Sequence, residues 1–172
     1  MSEIEAFKLY GLTPSFSVDV EALTRKHQMM MRKFHPDLFA DRSAAERRVA
    51  QQWSARFNEA FRVLKDPILR AQALCEAAGH PINAETNTAM NPMFLMEQME
   101  AREYLDSVRE DASALEALRV KSQADFDAHV LALGEAIDTR QAWDEAVEGV
   151  RRLMFERKFI DEIESIQAQR FE

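Results

Sequence analysis

Three consecutive residues, His35-Pro36-Asp37, set an imidazole and a carboxylate on either side of a proline. The imidazole both donates and accepts hydrogen bonds. The carboxylate accepts them or pairs with a guanidinium, and the proline ring fixes φ between the two. On a tight solvent-facing loop this set suits contact with a partner better than bond cleavage. Alone, the tripeptide also fits an ordinary turn closed by a side-chain hydrogen bond. Nothing catalytic accompanies it. His27, His35, His80 and His129 lie in different segments, none four residues from another, so zinc-ligand spacing is absent. Cys75 precedes His80, but its position reads as helix core. One cysteine cannot hold an iron–sulfur cluster, which needs several thiolates. With no Gly-rich phosphate loop and no nucleophile–base pair, the expectation is a protein that is not an enzyme and carries no metal and no cofactor.

The elements around the tripeptide read as helices throughout, with apolar residues recurring near every 3.6 positions and no sustained alternation. Residues 4–10 fit a short helix ending at Gly11. Asp19 is an N-cap for a helix placing Val20, Leu23, Met30 and Phe34 on one face. His35 then precedes Pro36, which disfavours helix there. Ser43 with Glu46 has capping-box spacing and opens a helix with Val49, Trp53, Ala60 and Leu64 facing the core. Asp66-Pro67 both ends that helix and caps the next, which carries Ile68, Ala71, Leu74 and Cys75 and stops at Gly79. Residues 80–91 read as a linker. Asn91-Pro92 repeats the cap-plus-proline start. Three helices are expected over about 92–110, 113–137 and 140–170, with Asp138 and Gln141 as a second capping box, and short connections make them an antiparallel three-helix bundle.

The chain of 172 residues has 22 Lys plus Arg and 30 Asp plus Glu, a net charge of −8. The charge is uneven. Residues 1–76 carry 12 basic and 10 acidic side chains, whereas residues 77–172 carry 10 and 20. Two modules with two different partners follow from that asymmetry. Neither half has the Lys/Arg surplus of a nucleic-acid footprint. Four Gly and five Pro are too few for an all-β sandwich. No apolar run is long enough for a membrane span, and the acidic N-terminus lacks the pattern of a secretory or transit signal. The lone cysteine suits a reducing cytoplasm.

The tripeptide gains meaning from its flanks. It follows an amphipathic helix whose exposed face holds Arg25, Lys26, Arg32 and Lys33, and it precedes the capping-box helix. With these residues the sequence resembles the J-domain family, co-chaperones that stimulate ATP hydrolysis by seventy-kilodalton heat-shock ATPases. The resemblance covers about residues 1–76. It implies that His35, Pro36 and Asp37 contact the ATPase at the junction of its nucleotide domain and linker. It also implies that the basic face, Lys26 and Arg32 in particular, meets an acidic surface there. The mechanism would be a population shift toward the hydrolysing conformer. Leu38 stands where J-domains usually carry a basic residue.

In the second half, a helical wheel at about 100° per residue gathers Phe94, Ala101, Leu105 and Val108 on one stripe. Leu95, Met96 and Met99 fall elsewhere, among Glu100, Arg102, Glu103 and Asp106. Adaptable Met and Leu beside carboxylates suit a partner surface, although both stripes could also pack inside a bundle. The last helix likewise shows two stripes: Trp143, Val147, Val150 and Met154; and Phe155, Phe159, Ile163 and Ile166. The stretch from Phe94 to Glu103, together with Trp143-Asp144 and Val150 to Leu153, is similar to the HscB family, the J-type co-chaperones of iron–sulfur cluster assembly.

That resemblance implies an all-α fold: an N-terminal J-domain over 1–76, a linker over 77–91 and a C-terminal three-helix bundle over 92–172, compatible with an L-shaped arrangement. It implies two protein partners, an HscA- or DnaK-like heat-shock ATPase and an IscU-type cluster scaffold, and a bacterial cytoplasmic monomer without nucleic-acid or membrane partners. Leu95, Met96, Met99, Glu100, Glu103 and Phe155 are the scaffold contacts it implies. Ser107 stands where the family can present a further acid.

Overall fold

A computed structural model describes residues 4–82 and 91–169. Among these residues it holds seven α-helices and no strand: α1 (Glu5–Leu9), α2 (Val20–Lys33), α3 (Ala44–Lys65), α4 (Pro67–Ala77), α5 (Pro92–Val108), α6 (Ala112–Glu135) and α7 (Trp143–Gln169). Most of the expected linker, residues 83–90, and the end of the last expected helix lie outside the described residues.

The helix starts follow local chemistry. Asp19 accepts from the Ala22 amide, and Ser43 and Glu46 form a reciprocal capping box. Asp66 accepts from the amides of Ile68 and Leu69, Asn91 from Met93, and Asp111 from Ser113 and Ala114. Each such cap satisfies an amide that has no partner within its helix and contributes about 0.5–2 kcal/mol. Proline at the first position of α4 and α5 gives up no helical hydrogen bond. Gly79, at φ +85°, ends α4 in the left-handed conformation that glycine adopts freely.

α2 and α3 form a hairpin, with α1 against α3. Phe7, Tyr10, Leu23, Phe57, Ala60 and Leu64 fill its interior. Val49 differs from the expectation: it is exposed, and Ala50, one position on, takes the core side instead. Spacing of three to four residues does not fix the phase at the start of a helix whose first turns face mostly solvent.

α4 packs against α3 on one side and α7 on the other. The apolar core of the hairpin therefore continues without a break into Phe126 and Leu133 of α6 and Val147, Val150, Leu153 and Ile160 of α7. A second cluster, Leu105, Leu115, Phe159, Ile163 and Ile166, joins α5, α6 and α7 into the three-helix bundle. The two stripes of α7 thus serve two cores. Trp143 and Met154 pack at the edge of the first, and Phe159, Ile163 and Ile166 sit in the second.

Three long-range polar ties hold α7 and the turn before it to earlier parts of the chain. Arg157 pairs with Asp66 at 2.5 Å. Arg151 donates twice to the carbonyl of Ile82, at 3.0 and 2.6 Å. Ile82 is itself buried, so the start of the expected linker belongs to the core. The third tie corrects an expectation. Asp138 does not cap α7 with Gln141. It lies in a π turn, Ala136–Arg140, and Gln141 has φ +51°. Its carboxylate instead accepts from the amides of Phe16 and Ser17 and from the Ser15 hydroxyl. Capping-box spacing is a local signal, and here a long-range partner took the carboxylate. The Phe16 ring lies against Gly134, where an added Cβ would come within 2.8 Å of it. The Arg70 guanidinium stacks on the same ring at 4.8 Å and donates to the Leu64 carbonyl.

Candidate interaction surfaces

His35 has extended φ and ψ, as a residue before proline prefers. Pro36–Phe39 then forms a single 3-10 turn rather than an open loop. His35 Nδ1 accepts from the Asp37 amide at 3.3 Å, which leaves the ring proton on Nε2. The turn is thereby closed by the histidine, not by the aspartate. The Asp37 side chain is 89% exposed, and its Oδ2 lies 3.5 Å from His35 Nδ1. Among the described residues no Lys or Arg pairs with it, so the carboxylate is presented to solvent on a stiff turn.

The basic face of α2 divides. Arg32 and Lys33 are exposed beside the turn. Arg25 is exposed and pairs loosely with Glu21, at 3.8 Å. Lys26 differs from the expectation of an exposed position. It is half-buried, and its ammonium donates to the Tyr10 carbonyl at the end of α1. The wheel cannot show this, because the acceptor comes from another helix. Leu38 is exposed. Next to the turn, a cleft of about 260 Å³ is lined by Phe34, Pro36, Phe39, Arg47, Ala50 and Ser54, among others. Phe39 and Arg47 were not among the expected site residues; only their closeness in sequence to the tripeptide hinted at them.

The second surface lies on α5. Phe94 and Leu105 are buried, as the first stripe requires, while Leu95 is 41%, Met96 62% and Met99 64% exposed. Glu100 and Glu103 are exposed on the same helix. Phe155 of α7 is partly exposed, and its ring meets Phe94 edge to face at 5.7 Å. α5 and α7 thus place an apolar patch with an acidic border outside the core. Met93 and Tyr104 of α5 are also exposed and were not among the expected contacts. Ser107 uses its hydroxyl on the Tyr104 carbonyl, at 2.7 Å.

With both surfaces placed, similarity to known proteins becomes informative. The chain is 46% identical over 167 residues to a Bordetella avium protein named a co-chaperone protein HscB homolog, covering 97% of this chain and 99% of that one. The chain belongs to the HscB co-chaperone family. A Vibrio vulnificus homolog of the same name is 38% identical, covering 96% and 98% of the two chains. Residues 90–164 match the family model of the HSCB C-terminal oligomerisation domain. The solved structure of chaperone HscB from Vibrio cholerae aligns over 98% of this chain and 99% of its own, with a TM-score of 0.83 and 34% identity. That of human co-chaperone protein HscB aligns over 92% and 80%, with a TM-score of 0.86 and 26% identity. The fold is the J-domain plus C-terminal helical domain of that family. Among the described residues no group of three His, Cys, Asp or Glu could hold a metal ion, and no helix is long and apolar enough to cross a membrane.

Proposed function

We propose that this co-chaperone works in iron–sulfur cluster biogenesis in the bacterial cytoplasm. Its J-domain stimulates ATP hydrolysis by an HscA-like heat-shock ATPase. Its C-terminal domain binds an IscU-type scaffold protein and delivers it to that ATPase.

The observation that carries this reading is the patch of Leu95, Met96, Met99 and Phe155 bordered by Glu100 and Glu103. Solvent-exposed methionines and leucine held on a helix anchored by its opposite face are a docking surface. His35, Pro36 and Asp37, with Arg25, Arg32 and Lys33 beside them, form the contact for the ATPase. The unpaired Asp37 carboxylate is available to a cation on the ATPase, and the basic residues favour approach to an acidic surface. The ATPase binds this surface better in one conformer and is shifted toward hydrolysis by that difference. The shared core and the three polar ties keep the two surfaces in fixed relation, so a delivered scaffold arrives in a defined pose.

Replacing Leu95, Met96 and Met99 together by Ala tests the client half. Scaffold affinity, measured by titration calorimetry, is expected to fall by about 10- to 100-fold, as for truncation of central apolar anchors, with stimulation of the ATPase in the absence of scaffold retained. Unchanged scaffold affinity would assign the patch to another client.

A further inference from the structure

The helix that carries the apolar patch is fastened unevenly. The C-terminal half of α5 sits in the second core through Leu105, with Ala101 and Val108 packed beside it. In the N-terminal half, Phe94 is the one large side chain that is buried, and it belongs to neither core cluster. Phe94 instead meets two residues of α7. Phe155 meets its edge, and the Arg152 guanidinium stacks on its face at 4.5 Å. Arg152 also pairs with Glu97, one helical turn further along α5, at 3.4 Å.

Arg152 is held in turn from behind. Its other nitrogen lies 3.8 Å from Glu156. Glu156 is largely buried, and burial pushes its carboxyl above the usual range, against the opposing pull of His129 and Arg152. His129 of α6 is 2.8 Å from the same carboxylate. The result is a chain of polar side chains in contact, Glu97–Arg152–Glu156–His129, running from α5 through α7 to α6.

We propose that Arg152 is a positioning residue for the docking patch. It clamps the first turns of α5 onto α7 through Phe94 and Glu97, and so holds Leu95, Met96 and Met99 in their binding arrangement before the partner arrives. A guanidinium suits this position because one planar group can stack on a ring and pair with two carboxylates at once. Without the clamp the docked arrangement of these turns is only one of several populated, and apparent affinity falls by the fraction lost. The inference rests on the assignment of this patch to the scaffold, but the state of α5 can be read without any partner.

The test is hydrogen exchange on the free full-length chain, combined with scaffold titration, for the wild type, Arg152→Gln and Arg152→Lys. In Arg152→Gln the docked arrangement is expected to fall to about a tenth of the population, so amides of residues 95–99 lose most of their protection and exchange at least about 10-fold faster, with those of residues 105–108 unchanged. Affinity for the apo scaffold is then expected to drop about 10-fold, the inverse of the docked fraction. Arg152→Lys recovers only part of the protection and of the affinity, since an ammonium keeps the charge and can lie over the ring but cannot also bridge two carboxylates. Lost affinity with unchanged exchange would make Arg152 a direct contact and overturn the clamp. Faster exchange with unchanged affinity would overturn its link to docking. Should the Leu95/Met96/Met99 variant bind the scaffold normally, the patch assignment fails instead, while the exchange measurement still decides whether Arg152 holds α5.

Discussion

Asp138 Oδ1 accepts the backbone N–H of Phe16 at 2.7 Å, across 122 residues of chain. The other carboxylate oxygen takes the Ser17 amide at 2.8 Å and the Ser15 hydroxyl at 3.0 Å. One side chain in the turn before α7 thus fixes the loop between α1 and α2, and with it the Phe16 ring that packs against Gly134 and Arg70. The orientation of the α2–α3 hairpin relative to the bundle is set by this latch, the buried α4–α7 contact and the Arg157–Asp66 pair.

Replacing Asp138 by Ala leaves a part-buried amide without its charged acceptor. The expected cost is about 1–3 kcal/mol of unfolding free energy, a drop of roughly 2–10 °C in Tm for a chain of this size. Helical content by circular dichroism should be unchanged. Urea melts of the wild type and Asp138→Ala decide it, and coincident curves would remove the latch from the account.

A second prediction concerns pH. His27 stacks on Phe61 at 4.1 Å between ring centres, and its Nδ1 lies 2.8 Å from the Tyr10 hydroxyl, which donates to the Phe57 carbonyl. Burial lowers the His27 pKa and pushes the Tyr10 phenol up to about 12. A histidine whose folded pKa is depressed contributes stability that is complete above its unfolded value, about 6.5. That contribution is lost as pH falls through the folded value, because the unfolded chain then binds the extra proton. The wild type should therefore lose more stability than His27→Gln between about pH 7.5 and pH 5. Parallel pH profiles for the two proteins would contradict this.

Cys75 is fully buried on α4, and burial pushes its thiol up to about 11. It should resist aromatic disulfide reagents near pH 8 in the native state and react within minutes once the chain is unfolded in guanidinium. Rapid labelling of the folded protein would mean that α4 opens away from α7.

Much of this architecture is readable from local sequence. The caps at Asp19, Ser43, Asp66 and Asn91 need only residues a turn away, and all four hold in the structure. Helical phase also separates Leu95, Met96 and Met99 from the stripe of Phe94 and Leu105, but it leaves both stripes able to pack in a bundle, and only the structure puts the first set outside the core. What the sequence does not reveal depends on partners far along the chain. Asp138 has capping-box spacing yet serves the Phe16 loop. Lys26 lies on a basic face yet is occupied by the Tyr10 carbonyl. Arg152 reads as an ordinary charge on α7, and its role emerges only when Phe94 is seen beneath it.

The central claim is that one rigid protein joins an ATPase-stimulating turn to a client-docking patch. The most direct test is steady-state ATP hydrolysis by an HscA-like chaperone with this protein, with the apo scaffold, and with both. The account predicts a rate with both that exceeds the sum of the separate stimulations, and its loss in Asp37→Asn with the fold intact by circular dichroism. Merely additive rates, or full stimulation by Asp37→Asn, would contradict it.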